Sequence, residues 1–170
     1  MIKLLFIKLL FFIGKTFSFI LNPKLISIFG SIRKYISNGY WLRDIRSIGA
    51  SSSIQPPYDK LYGLKYFEIG NKVNIGQRAC LMAWDKGGTI PSVIIGDGTA
   101  IGDDFFLSCS KRIEIGREVL FGRKITIVDN SHGDNTFYQL VVPPIFRPIT
   151  SKGPIYIGDR PPEGLRQKVS

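Results

Sequence analysis

The chain has 170 residues, 44% of them hydrophobic, with 18 glycines and a formal net charge of +10. That length suits one domain with a sizeable core. The basic excess favours an anionic partner such as a phosphate-bearing cofactor or an acidic lipid surface, and the scatter of the basic residues without a recognition motif argues against nucleic acid.

Residues 1–21 are strongly apolar, and Lys3, Lys8 and Lys15 interrupt them. The longest uncharged run is too short to span a bilayer. Lysines inside the apolar region, with no small-residue cleavage site after it, argue against a signal peptide. Helical spacing puts Lys8 and Lys15 on one face, which suits an interfacial helix on an anionic membrane. A helix packed on the body of the protein or on a sister subunit is the other reading. Asn22-Pro23 interrupts this helix, Lys24 to Ile36 resumes one with Arg33 and Lys34 exposed, and Asn38-Gly39 predicts a turn. Tyr40-Trp41 then reads as a bulky lid over the first coil. Residues 1–47 form an N-terminal helical segment on this reading.

From Ile48-Gly49 the pattern changes to a period of six. Ile48 and Ile54 begin it. The sets Ile69, Ile75, Leu81, then Ile95, Ile101, Leu107, then Ile115, Phe121, Ile127 follow, mostly with glycine next in the chain. Three uses of the period per set predict a triangular coil with one apolar residue buried on each side. A second inward position falls four residues later, at Ser52, Thr99, Phe105, Val119, Ile125 and Ser131. Such a coil buries its face only by stacking on its neighbours, the sign of a parallel β-helix. Pro56-Pro57 through Gly63 reads as an irregular excursion, and Met82 to Ser92 as an inserted loop turned by Gly87-Gly88. Trp84 in that insertion stacks on a neighbour or caps the side of the coil. Asp97-Gly98 and Asp103-Asp104 fall at corners without the ligand spacing of a calcium loop. Cys80 and Cys109, isolated and in phase with the repeats, read as core residues in a reducing compartment.

The run closes on Asp129-Asn130-Ser131-His132, which holds the only histidine. After it comes a loop, residues 133–153, whose length suggests a function. Phe137, Tyr138 and Phe146 would line a pocket or anchor that loop. Ile155-Tyr156-Ile157-Gly158-Asp159 opens a further coil, and residues 160–170 leave the pattern.

The Ile-Gly units from Ile69 to Phe121-Gly122 resemble the hexapeptide-repeat acyltransferases. The closing segment Ile127 to His132 is similar to the catalytic coil of their sugar O-acetyltransferase branch, and Ser151 to Asp159 to the segment that re-enters the coil. The resemblance spans residues 48–159. It implies an all-β fold, a left-handed parallel β-helix with the helical segment at its N-terminus, assembled as a homotrimer with active sites between neighbouring solenoids. It also implies acetyl-CoA as donor and a hydroxyl of a sugar or lipid-linked glycan, of capsule or O-antigen type, as acceptor. The protein would then work in the cytoplasm, at the inner face of a bacterial plasma membrane.

The resemblance assigns His132 as general base and Asp129 as its support. Asn130, Ser108 and Ser110 would contact substrate, and Lys152 and Gly153 the CoA. A neutral imidazole suits proton abstraction at cell pH, and a neighbouring carboxylate can fix its tautomer. A single histidine, no paired cysteines and no HExxH leave no metal site, and the chain has no Gly-x-Ser-x-Gly or P-loop signature. In two respects the chain departs from the family. Phe105 to Ser110 lacks the asparagine often found one coil before the histidine, so only Ser108 or Ser110 could serve an oxyanion there. The family also continues with further coils where residues 160–170 stand, so the chain reads as a truncated version. The alternative function is therefore an inactive solenoid, a pseudoenzyme or scaffold.

Overall fold

The computed structural model describes residues 2–20, 23–85, 89–133 and 136–159. The turn expected at Gly87-Gly88, the break at Asn22 and the non-repeat tail 160–170, with the truncation read from it, lie outside the described residues.

Two helices come first, α1 (Ile2–Ile20) and α2 (Pro23–Trp41), of 19 residues each. Together they make the chain a mixed one, not an all-β protein. Pro23 opens α2, where its missing N–H costs nothing. The turn expected at Asn38-Gly39 is absent, because α2 runs through it. Asn38 explains this: its Nδ2 donates to Lys34 O at 2.7 Å and to Ile54 O at 2.7 Å, while Ile54 N donates to its Oδ1 at 2.9 Å. One amide side chain thus satisfies the backbone edge of the first coil as another strand would. The lid is Leu42, 4% exposed, whereas Tyr40 and Trp41 stand 65% and 57% exposed.

The strands come in triplets. They are β1 (Ser47–Ile48), β2 (Ser53–Ile54) and β3 (Lys60–Tyr62), then β4 (Phe67–Ile69), β5 (Asn74–Ile75) and β6 (Cys80–Ala83). The next triplets are β7 (Ser92–Ile95), β8 (Ala100–Ile101) and β9 (Phe106–Cys109), then β10 (Arg112–Ile115), β11 (Leu120–Phe121) and β12 (Thr126–Val128). After the short strands β13 (Asn130–His132) and β14 (Ile149–Ser151), β15 (Ile155–Ile157) rejoins the stack. Members of each triplet go to three different parallel sheets, ordered β1-β4-β7-β10-β15, β2-β5-β8-β11 and β3-β6-β9-β12.

The register places the six-residue repeats on top of one another. Ile48, Ile69, Ile95, Ile115 and Ile157 form one column, and Ile54, Ile75, Ile101 and Phe121 a second. The third column is Leu61, Leu81, Leu107 and Ile127. Leu61 belongs to this column although the residues around it read as an irregular excursion. It lies seven residues after Ile54, because the corner containing the cis Pro56-Pro57 bond takes one more residue than the others. Most of these side chains are buried, each worth up to roughly 1.5–3 kcal/mol relative to exposure.

Two backbone features make the stacking work. A Cβ on Gly96 would fall 2.6 Å from the backbone of Gly116, so glycine is required there by the approach of the next coil. Three residues after most isoleucines and the phenylalanine of the first two columns, the corner residue takes positive φ: Ser51, Lys72, Arg78, Asp104, Glu118 and Lys124 lie between 55° and 62°. From Lys72 onward their strain is offset by bonds to the preceding coil, such as Glu118 N to Asp97 O at 2.8 Å. The small inward residues stitch layers as well. Thr99 Oγ1 donates to Gly116 O at 2.8 Å, and Ser52 Oγ to Gly70 O at 2.6 Å.

Candidate functional site

The regular winding stops after β12. At Asp129 the chain turns away, and β13 pairs antiparallel with β14 in the register Asn130 to Ser151, Ser131 to Thr150, His132 to Ile149. This hairpin closes the neck of the 133–153 excursion and returns the chain to β15. Ser131, expected inward, instead faces Thr150: its Oγ donates to Gly133 O at 2.9 Å and lies 3.3 Å from Thr150 Oγ1. His132 is exposed at the far end of β13.

Asp129 is bonded to a backbone corner. It is 6% exposed, and its carboxylate grips the corner between β9 and β10. Oδ1 accepts from Ser110 N at 2.7 Å and from Ser110 Oγ at 3.2 Å. Oδ2 accepts from Lys111 N at 2.8 Å and Arg112 N at 2.9 Å. Its oxygens are thus committed to this corner and not to His132. A sharp corner leaves successive amides pointing at one place, and an anion there satisfies them together.

Asn130 continues the cluster. Its Nδ2 donates to Ser108 O at 3.0 Å, to Ser108 Oγ at 3.1 Å and to Asp129 Oδ1 at 3.2 Å. Trp84 Nε1 donates to the same Ser108 hydroxyl at 3.1 Å, and the Trp84 ring lies against Tyr62 with centroids 4.6 Å apart. Sequence reasoning leaves Trp84 open between stacking and capping, and misses Tyr62 and the bond to Ser108. No periodic signal points to them, because Tyr62 sits past the widened corner and Trp84 opens a loop.

Beside the hairpin neck runs a groove of about 390 Å³, lined by Val128 to Ser131 on one side and Lys152 to Ile155 on the other. Ser108, Ser110, Asp129 and Asn130 therefore form one bonded cluster, and Asp129, Asn130, Lys152 and Gly153 share this groove. His132 stands on the same hairpin but does not line the groove. Gly153, at φ 143° with open space within 4 Å of where a Cβ would stand, leaves the groove wall open. Phe137, Tyr138 and Phe146 are each at least 77% exposed, so within this chain they neither line the groove nor anchor the excursion. Arg147 braces the excursion internally, its guanidinium donating to Val142 O at 2.7 Å and Leu140 O at 3.3 Å.

Cys80 and Cys109 are buried and free. Burial, and then the neighbouring Asp129 carboxylate, push the Cys109 thiol up to about 12. Burial also raises Cys80. The corner aspartates are engaged in joining coils. Asp97 accepts from Asn71 N at 2.7 Å and Asp103 from Gln77 N at 2.9 Å, while Asp104 takes Arg78 Nε at 2.6 Å and Arg123 Nη2 at 3.2 Å. Among the described residues no group of three or more His, Cys, Asp or Glu side chains is placed to hold a metal. No protein-family model, curated protein or solved structure matches the chain.

Proposed function

We propose that this chain is an O-acetyltransferase of the hexapeptide-repeat type, with a left-handed parallel β-helix and homotrimeric assembly, acting on a sugar hydroxyl of a glycan from the cytoplasmic side. The observation that carries the reading is the position of the only imidazole. It is solvent-exposed, on a hairpin thrown out where the six-residue winding is interrupted, next to an open groove with a cation at its rim.

The groove residues fit a phosphate-bearing, extended donor. Lys152 supplies positive charge, and Gly153 leaves room for close approach. Acetyl-CoA would bring an electrophilic thioester carbonyl and a thiolate leaving group. His132 would accept the proton of the acceptor hydroxyl as its oxygen attacks, then return that proton to the departing sulfur. Ser108 and Asn130 bond each other, so donors for the oxyanion are better sought among backbone amides of the hairpin neck. Asp129 positions that neck: by holding the Ser110–Arg112 amides it fixes where β13 departs. In a trimer, a sister solenoid would form the second wall beside the exposed hairpin.

A solenoid without catalysis is the rival reading, and one observation favours it: the carboxylate expected to orient His132 is bonded elsewhere. Thiol release from acetyl-CoA, measured with the purified protein and candidate acceptor sugars, separates the two. The enzyme reading expects release that falls at least about 100-fold in His132→Ala while the far-UV spectrum stays unchanged. Release that persists in that variant, or none from the wild type with any acceptor, overturns it.

A further inference from the structure

The helix α2 is mounted the wrong way round for a soluble protein. Toward the first coil it presents polar and small residues: Lys34, Ser37 and Asn38 are half-buried, and Ser27, Ser31 and Lys34 line a narrow cleft of about 250 Å³ with Gln55 and Gln77. The opposite face, at spacings of three and four, carries Leu25, Ile28, Phe29, Ile32 and Ile36, each at least 47% exposed. Packing inverts the usual rule, in which the apolar stripe of a surface helix faces the core. In α1 the case is stronger still, since every side chain from Lys3 to Ser18 is exposed. Apolar patches of this extent mark a surface that something covers.

Charge decides what covers it. Every charged residue before Asp44 is basic: Lys3, Lys8 and Lys15 in α1, then Lys24, Arg33, Lys34 and Arg43. A second copy would bring the same cations to the contact with no acid in this segment to meet them. Further along the chain, Asp97, Asp103, Asp104 and Asp159 are already bonded to corner amides and arginines. An anionic bilayer offers both things the segment lacks, apolar depth for the outward faces and phosphates for the lysines. No helix among the described residues is long and apolar enough to cross a membrane.

We infer that α1 and the outward face of α2 lie in the interface of an anionic membrane, and that the Asn38 clamp on Ile54 couples this platform to the solenoid. Membrane binding then sets the direction in which the coils rise from the bilayer. Because the clamp makes both a donor and an acceptor contact with β2, α2 cannot turn its apolar face inward without exposing that strand edge.

The test is flotation of the full chain with vesicles. Binding is expected to vesicles of equal parts phosphatidylcholine and phosphatidylglycerol, and not to phosphatidylcholine alone. Replacing Lys3, Lys8 and Lys15 together by Gln should weaken the anionic partition roughly 100-fold, at about fivefold per charge. Ile32→Asn with Ile36→Asn, both exposed, should weaken it further without changing the far-UV spectrum. Unaltered binding by this α2 variant overturns the placement of α2. A protein that ignores both vesicles, and whose oligomer is lost in the Ile32→Asn, Ile36→Asn variant, shows that a sister copy covers the surface, and one that resists alkaline extraction shows insertion across the bilayer. Either result overturns the proposal.

Discussion

Asp129→Ala separates a positioning role from a catalytic one. The substitution removes an acceptor shared by three backbone amides, those of Ser110, Lys111 and Arg112, and by the Ser110 hydroxyl. A buried donor left without a partner costs about 1–3 kcal/mol, and the Lys111 and Arg112 amides are only partly buried, so water recovers some of that loss. A loss of about 3–5 kcal/mol results, against a total of about 5–15 kcal/mol for a domain. Asp129→Asn keeps an acceptor for at least one amide and should lose about half as much. Urea titration followed by far-UV circular dichroism measures both. If Asp129→Ala shifts stability by less than about 1 kcal/mol, the corner does not depend on the carboxylate and the reasoning fails. If it also abolishes acetyl transfer in a protein that remains folded, Asp129 belongs to the chemistry after all.

The glycines give a matched pair. Gly96→Ala places a methyl 2.6 Å from the Gly116 backbone and should cost about 1–3 kcal/mol in the same titration, whereas Gly122→Ala, with nothing within 4 Å, should be neutral or slightly stabilising. Cys109 should react with an aromatic disulfide reagent at pH 8 only as fast as the protein opens, because the thiolate is the nucleophile and the folded thiol is pushed up to about 12; rapid labelling of the native state would contradict this. Hydrogen bonds from the Arg78 guanidinium, foremost, hold Asp104 below the usual carboxylate range, and Asn71 and Arg117 do the same for Asp97 and Asp159. A folded value below the unfolded one stabilises at neutral pH and is lost as pH falls below about 4, so acid titration of the wild type should show a destabilising limb there. Asp104→Asn should flatten that limb; an unchanged limb would remove Asp104 from the account.

Much of the winding was legible because its cause is local in the chain. Within each coil the column residues stand six apart, Leu61 excepted, and on two of the three sides nearly all of them are followed by a glycine. The exceptions have equally concrete causes. Leu61 escaped the period because the Pro56-Pro57 corner is one residue longer. The corner residues Lys72, Arg78, Asp104, Glu118 and Lys124 showed no sign of positive φ, since their conformation is held by bonds to the coil before them and not by residue type. Asn38-Gly39 has turn composition, yet contact with Ile54 keeps it helical.

At the site, the spacing of residues 129–132 marked the place, and His132 was conspicuous as the only histidine. What each group bonds to was beyond reach of the spacing, since partners nineteen or twenty-two residues away depend on how one coil sits on the last. Sequence by itself determined the period, the three apolar columns and the cationic, acid-free N-terminal segment, because each is a property of neighbours in the chain. Only the tertiary structure decided that Asp129 serves a corner, that Trp84 reaches Ser108, and that α2 turns its apolar face outward. Those outcomes depend on which polar groups come within hydrogen-bonding distance once layers stack, and no one-dimensional pattern encodes that distance.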